Sequence, residues 1–196
     1  MTIEINGQPL AFSLENEKTT GDILSALEEQ FEKNDSTIIE IELNGKQISA
    51  DEIDALSNRA IDENDAISVK SVCADGIIMS LKELAADFEP LCTELEELPV
   101  LIQQNDDKKS FDIINRFAES FDILCHLATL SSLFPNKFEG KTIAERTLAD
   151  FLKDFSPILT DFEESLKNKD TVLTGDLAEY ELKPRLEAYI SDIVNF

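Results

Sequence analysis

The sequence predicts an α+β protein, with a small sheet module over residues 1–74 followed by an antiparallel four-helix bundle over residues 77–196. Three observations predict it. Asn6-Gly7 and Asn44-Gly45 each stand between alternating apolar segments, and this residue pair supplies the positive φ angles of a two-residue type I′ hairpin. One amphipathic segment, carrying Ile23, Leu24, Leu27 and Phe31, separates the two hairpins. Past Asp75-Gly76 the apolar period changes from two to about three and a half.

In the first strand, Thr2-Ile3-Glu4-Ile5, the two isoleucines face one side and Glu4 the other. Leu10, Phe12 and Leu14 are expected back on the buried side after the turn. Thr19-Thr20 offers a helix N-cap, and Glu28, Glu29 and Glu32 point away from the apolar stripe, so the helix covers the hairpin. Ile39-Glu40-Ile41-Glu42-Leu43 alternates into the second Asn-Gly turn, Ile48 returns from it, and Asp51 to Leu56 reads as a short helical connection. Ile67 and Val69 close the sheet. Its outward positions are then Glu4, Glu40, Glu42, Ser68 and Lys70.

The order strand, strand, helix, strand, short strand, strand resembles the ubiquitin-like β-grasp sulfur-carrier proteins of thiamine and molybdopterin biosynthesis. Thr2-Ile3-Glu4-Ile5-Asn6-Gly7, Thr20-Gly21-Asp22-Ile23-Leu24, Glu42-Leu43-Asn44-Gly45 and Asn64-Asp65-Ala66-Ile67-Ser68-Val69 carry the resemblance. It implies a β-grasp domain over residues 1–74. Those carriers act through a free Gly-Gly carboxylate, whereas Val72-Cys73-Ala74-Asp75-Gly76 stands at that position here and the chain runs on. The resemblance therefore extends to the fold and not to sulfur transfer. Nor do the outward sheet positions form the aliphatic patch that ubiquitin-style recognition uses.

In the second part, Leu81, Leu84, Phe88, Leu91, Leu95, Leu98 and Ile102 follow a three-four alternation, the narrow seam of a bundle helix. Asn105-Asp106-Asp107 ends it. A second helix starts near Lys108 with Ile114, Phe117, Phe121, Leu124 and Ala128, and its stripe widens through Leu127, Leu130 and Leu133 before Pro135-Asn136. A third is expected after Thr142, with Leu148, Phe151, Leu152, Phe155, Leu159, Phe162 and Leu166. The fourth runs from about Thr171 with Leu173, Leu177, Tyr180, Leu186, Ile190 and Ile193. Short links make neighbours antiparallel. Pro99, Pro157 and Pro184 fall inside three of these stretches, where a missing donor and a ring clash predict kinks or breaks.

Acidic residues number 41 against 17 basic ones, giving a formal net charge of −24 spread over both parts. A field of that sign repels phosphate backbones and anionic lipid, so the expected partner is another protein, with a basic surface the best match, and no nucleic acid or membrane is expected. No basic or apolar leader follows Met1, and the longest uncharged stretch, Ile123 to Asn136, is too short for a bilayer, which points to the cytoplasm. Cys73, Cys92 and Cys125 are widely spaced and read as free thiols, Cys92 and Cys125 on apolar helical faces. With His126 as the single histidine, and Ile123 three residues before it, neither a Zn²⁺ site nor a di-iron Glu-x-x-His bundle is expected. No catalytic group, cofactor or metal is assigned.

One segment stands apart. Asp176-Leu177-Ala178-Glu179-Tyr180-Glu181-Leu182 resembles a run in uncharacterised bacterial helical proteins and gathers Asp176, Glu179, Tyr180 and Glu181 on neighbouring turns. These four are the candidate partner-binding residues. The reading is a non-catalytic cytoplasmic interaction or adaptor protein. The competing readings are an enzyme with an acid/base site of carboxylates between the two domains, using Asp176, Glu179 and Tyr180, and a structural homodimer formed through an exposed apolar stripe.

Overall fold

The computed structural model describes residues 1–12 and 17–196. Two compact units divide the chain, Met1–Gly76 and Ile77–Phe196. The first contains a mixed five-stranded sheet of β1 (Thr2–Ile5), β2 (Gln8–Pro9), β3 (Ser36–Leu43), β4 (Lys46–Gln47) and β5 (Ala66–Cys73), in the order β2-β1-β5-β3-β4. β1 and β5 pair in parallel at the centre and every other pairing is antiparallel. Helix α1 (Thr20–Glu32) buries Ile23, Leu24 and Leu27 against Ile3, Ile67 and Val69, with Leu56 of α2 (Ala50–Ser57) closing the cluster. Thr19 begins α1 with a reciprocal capping box: its hydroxyl accepts from the Asp22 N–H and the Asp22 carboxylate accepts from the Thr19 N–H.

Both Asn-Gly turns adopt the left-handed conformation that the residue pair permits, at φ 51° and 74° for Asn6-Gly7 and 54° and 77° for Asn44-Gly45. Their asparagines also latch the turns to the central strand. Asn6 Oδ1 accepts from the Ser71 N–H at 2.9 Å, and Asn44 Oδ1 accepts from the Ala66 N–H at 2.8 Å. Beside the second latch, Arg59 donates through both guanidinium nitrogens to buried Asp65, at 2.5 and 2.8 Å. That pairing, helped by the Asp62 N–H and Asn44, holds the Asp65 carboxyl far below the usual carboxylate range.

Two sheet expectations need correction. β2 is only two residues long, so Leu10 and Phe12 follow it with 37% of their surface exposed rather than returning to the core; Leu14 lies outside the described residues. A bulge between Ile38 and Glu40 breaks the alternation of β3, leaving Ile39 40% exposed while Ile38, Ile41 and Leu43 pack on the core. Glu40 and Lys70, in register across β3 and β5, form an ion pair at 2.7 Å.

The helical part comprises α3 (Ala74–Gln103), α4 (Asp107–Ser131), α5 (Pro135–Phe138), α6 (Leu148–Lys153), α7 (Phe155–Lys167), α8 (Thr171–Asp176), a π-helical turn (Leu177–Leu182) and α9 (Lys183–Ile193). Four helices were expected, with kinks or breaks at Pro99, Pro157 and Pro184; seven α-helices follow the sheet. α3 starts directly after β5, so Asp75-Gly76 belongs to its first turn. Its seam is buried from Leu81 to Leu98, with Leu101 taking the place expected for Ile102. Pro90 and Pro99 both lie inside α3, which continues through them.

Pro157 acts differently. Its missing N–H would have bonded to Lys153, and the helix ends there, so α6 and α7 meet at Asp154. Before α6 the third stretch does not start at Thr142: Thr147 caps Leu148, and residues 143–146 form a tight hairpin in which Ile143 and Arg146 exchange N–H···O bonds at 2.9 and 3.0 Å. Ala144 and Glu145 occupy its centre at φ 49° and 62°, without asparagine or glycine. An Asp192 Oδ2 on α9, 2.8 Å from the Ala144 N–H, holds that turn.

Candidate functional site

Asp176, Glu179, Tyr180 and Glu181 occupy the end of α8 and the π turn. Pro184 explains why the helix widens here. In a regular α-helix its ring would strike the carbonyl four residues back, at Tyr180; instead the Lys183 N–H reaches five residues back to Ala178. The wide turn inverts the expected faces. Ala178 and Leu182 are fully buried, Leu177 is half-buried, and Tyr180 stands 64% exposed. Leu173, expected in the core, is also exposed, and Thr174 and Gly175 replace it inside.

Gly175 is required by approach rather than by dihedral angle. A Cβ built there would lie 2.7 Å from Pro99 Cγ and 2.8 Å from Pro99 Cβ, so only glycine lets α8 sit this close to α3. Gly21 does the same for α1 against the backbone of Ser57, where a Cβ would meet the carbonyl oxygen at 2.6 Å. Thus Gly21 and Gly175 serve helix contacts, where Gly7 and Gly45 serve turns.

The site's polar groups form two pairs. Tyr180 bonds to the Glu179 carboxylate, whose neighbouring charge pushes the phenol's ionisation up, with Asp176 adding to it. Glu181 Oε2 accepts from Arg185 Nη1 at 2.7 Å, one turn further on. Asp176 stays exposed. Next to the site, Lys183 bridges Glu96 of α3 and Glu187 of α9, which raises its own proton affinity. The result is a surface ridge of carboxylates around one projecting phenol. It offers acceptors and a negative field, and none of the cavities described below is lined by it.

Three other groups carry perturbed chemistry. Tyr189 is completely buried, donates to the Leu81 carbonyl at 2.6 Å and meets Phe88 edge-on at 5.6 Å between ring centroids; burial pushes its phenol up. Cys92, also buried, is pushed up to about 11, chiefly by desolvation, so at neutral pH it is a packed thiol and not a nucleophile. Cys125 is half-buried and raised by burial and by Asp122, while His126 is exposed. All three cysteines are free. Among the described residues, no group of three or more His, Cys, Asp or Glu is placed to hold a metal ion, and no helix is long and apolar enough to cross a membrane.

Openings occur elsewhere. One of about 260 Å³ lies between β1 and α1 beside Leu10 and Phe12. Another, of about 580 Å³, lies at the end of the helical unit around Lys141, Thr142 and Phe196, where Lys141 sits 5.4 Å over the Phe196 ring. The third, of about 450 Å³, runs between α4 and α7. Its α4 wall contains residues read above as core, Ile114 and Phe121, together with Ala118 and Cys125. The signal was present in the sequence: α4 carries two apolar stripes, of which Ile113, Phe117, Leu124 and Leu127 form the buried one.

Fold and site together define an α+β protein with a mixed-sheet N-terminal unit and a helical C-terminal unit bearing an acidic, aromatic ridge. The chain belongs to the family described as "Domain of unknown function (DUF8042)", whose model matches residues 77–191. Residues 1–72 match the model described as "TP0873 N-terminal domain". The chain is similar to an uncharacterized protein of Treponema pallidum (strain Nichols), 29% identical over 184 residues that cover 94% of this chain and 92% of the relative. No solved structure matches it.

Proposed function

We propose that this protein is a non-catalytic, cytoplasmic interaction protein, a ubiquitin-like β-grasp module joined to a helical bundle that docks a basic protein. The order β2-β1-β5-β3-β4, with α1 packed over one face, supports the β-grasp reading. The continuation of β5 into α3 leaves no free carboxylate for carrier chemistry at that point. The observation that carries the docking role is Tyr180, turned outward by the π turn into a ring of carboxylates. An exposed aromatic with a polar tip is the residue type that anchors interfaces, and surrounding carboxylates draw a basic surface toward it.

Glu179→Lys/Glu181→Lys tests this. Affinity capture from the source cells should lose its basic partners in this variant and keep them in Asp150→Lys, a reversal on α6. Association should slow as salt shortens the Debye length from about 10 Å to about 3 Å, with dissociation changing less. Unchanged capture by the double lysine variant removes the π turn as the dock.

A further inference from the structure

The second apolar stripe of α4 is only partly covered by the core. Phe111, 62% exposed, begins it, and Ile114, Ala118, Phe121 and Cys125 continue it at spacings of three and four. From Ile114 to Cys125 it forms one wall of the 450 Å³ groove, and α7 forms the other through Leu159, Phe162 and Leu166. Phe121 turns partly inward, its ring 4.9 Å from that of Phe155, so the floor is fixed by the core beneath it.

The shape and the chemistry select an occupant. The stripe from Phe111 to Cys125 is about 21 Å long at 1.5 Å per residue, the length of roughly four helical turns. Apart from the Asp122 and Glu163 carboxylates, the Cys125 thiol is the only polar side-chain group among its described lining residues, so the lining offers a small molecule no set of convergent donors. The charged residues lining it are Asp122 on one wall and Glu163 on the other. Lys167 pairs with Glu163 at 2.5 Å, one turn beyond, leaving the Asp122 wall uncompensated. A second copy would bring the same acidic rim against this one, and an anionic lipid surface would meet a chain of net charge −24. A helix with apolar anchors at i, i+4, i+7 and i+11 and lysines or arginines flanking them satisfies both floor and rim.

We infer that the groove between α4 and α7 is a docking site for a basic amphipathic helix. This deepens the interaction reading above but uses a different surface from the π turn, so the two fail separately.

The probe is a fluorescent 14-residue peptide with leucine at those four positions and lysine at the rest, compared by anisotropy with a peptide of the same composition and scrambled order. The full-length protein should bind the patterned peptide and not the scrambled one. Asp122→Lys/Glu163→Lys should weaken that binding about tenfold and accept the glutamate counterpart of the peptide instead. Ala118→Arg, an exposed position on the stripe, should weaken it as well, with the thermal unfolding of each variant checked against the parent. In a Cys73→Ser background, bound peptide should slow maleimide labelling of Cys125. Glu179→Lys/Glu181→Lys should bind the peptide as the parent does. Equal binding of the scrambled peptide, or unchanged affinity in both groove variants, overturns the inference. So does a dimer in sedimentation that Ala118→Arg converts to monomer, because the groove would then be filled by a second copy.

Discussion

The long helix α3 and the last helical stretch, Thr171–Ile193, both contain prolines, yet one stays continuous and the other opens into a π turn. In α3 the seam from Leu81 to Leu98 is almost wholly buried at three-four spacing, so packing on both sides of Pro90 and Pro99 holds the helix on course. The last stretch has Thr174, Gly175 and Ala178 as its inward groups before Leu182. Small side chains bury little area there, and the local backbone conflict at Pro184 is resolved by widening instead. The outcome of a proline thus depends on how much apolar surface its neighbours commit to keeping the helix regular. Where that commitment is weak, a surface feature appears.

The sharpest break of this comparison is deletion. Removing Glu89 from α3 rotates everything after it by about 100°, turning Leu91, Leu95 and Leu98 away from the core at about 2 kcal/mol or more each. Cooperative unfolding by circular dichroism should be lost. Removing Tyr180 together with Pro184→Ala takes out the residue that the wide turn accommodates and the ring that opposes its closure. Leu182, Leu186, Tyr189 and Ile193 then stay on one face, and stability should remain within about 1 kcal/mol of the parent. Collapse of this second variant would show that the π turn is demanded by packing and not by Pro184.

Gly175→Ala comes next. With its Cβ inside contact distance of the Pro99 ring, α8 must move off α3, and urea unfolding should show a loss of about 1–3 kcal/mol. Tyr189→Phe keeps the ring against Phe88 and removes only the bond to the Leu81 carbonyl, so about 1 kcal/mol is expected. A smaller effect lies in alkali. Lys183 and Tyr189 both hold protons more tightly when folded, so their contribution is fully present below the unfolded values of about 10 and is lost as pH rises through the folded ones. Melting temperature should therefore fall as pH rises above about 10, and the fall should be shallower in Tyr189→Phe than in the parent.

Local chemistry made much of this readable in advance. Asn6-Gly7, Asn44-Gly45, the Thr19 cap and the seam of α3 each depend on residues close in sequence, and periodicity reports such things well. The bulge at Ile39 could not be read, because alternation gives the same signal whichever neighbour strand breaks register. Residues 143–147 were read into a helix for a similar reason: Ala144 and Glu145 are ordinary helical residues, and their left-handed backbone depends on Asp192, far along the chain. At the candidate site the sequence located the segment and the proline that disturbs it, but placed Tyr180 inward. A regular helix puts it there; one widened turn brings it out. The groove on α4 was misread because burial of a second stripe depends on which helix arrives to cover it.

The Ile143–Arg146 turn has a consequence for time rather than for stability. A left-handed conformation costs about 1–2 kcal/mol for each of Ala144 and Glu145, so the turn does not form on its own. Its external support is a carboxylate 48 residues away on α9. The turn is expected to close as a clasp after α9 has docked, late on the folding route. Asp192→Asn should therefore leave the folding rate nearly unchanged and speed unfolding, the behaviour of a contact absent from the transition state.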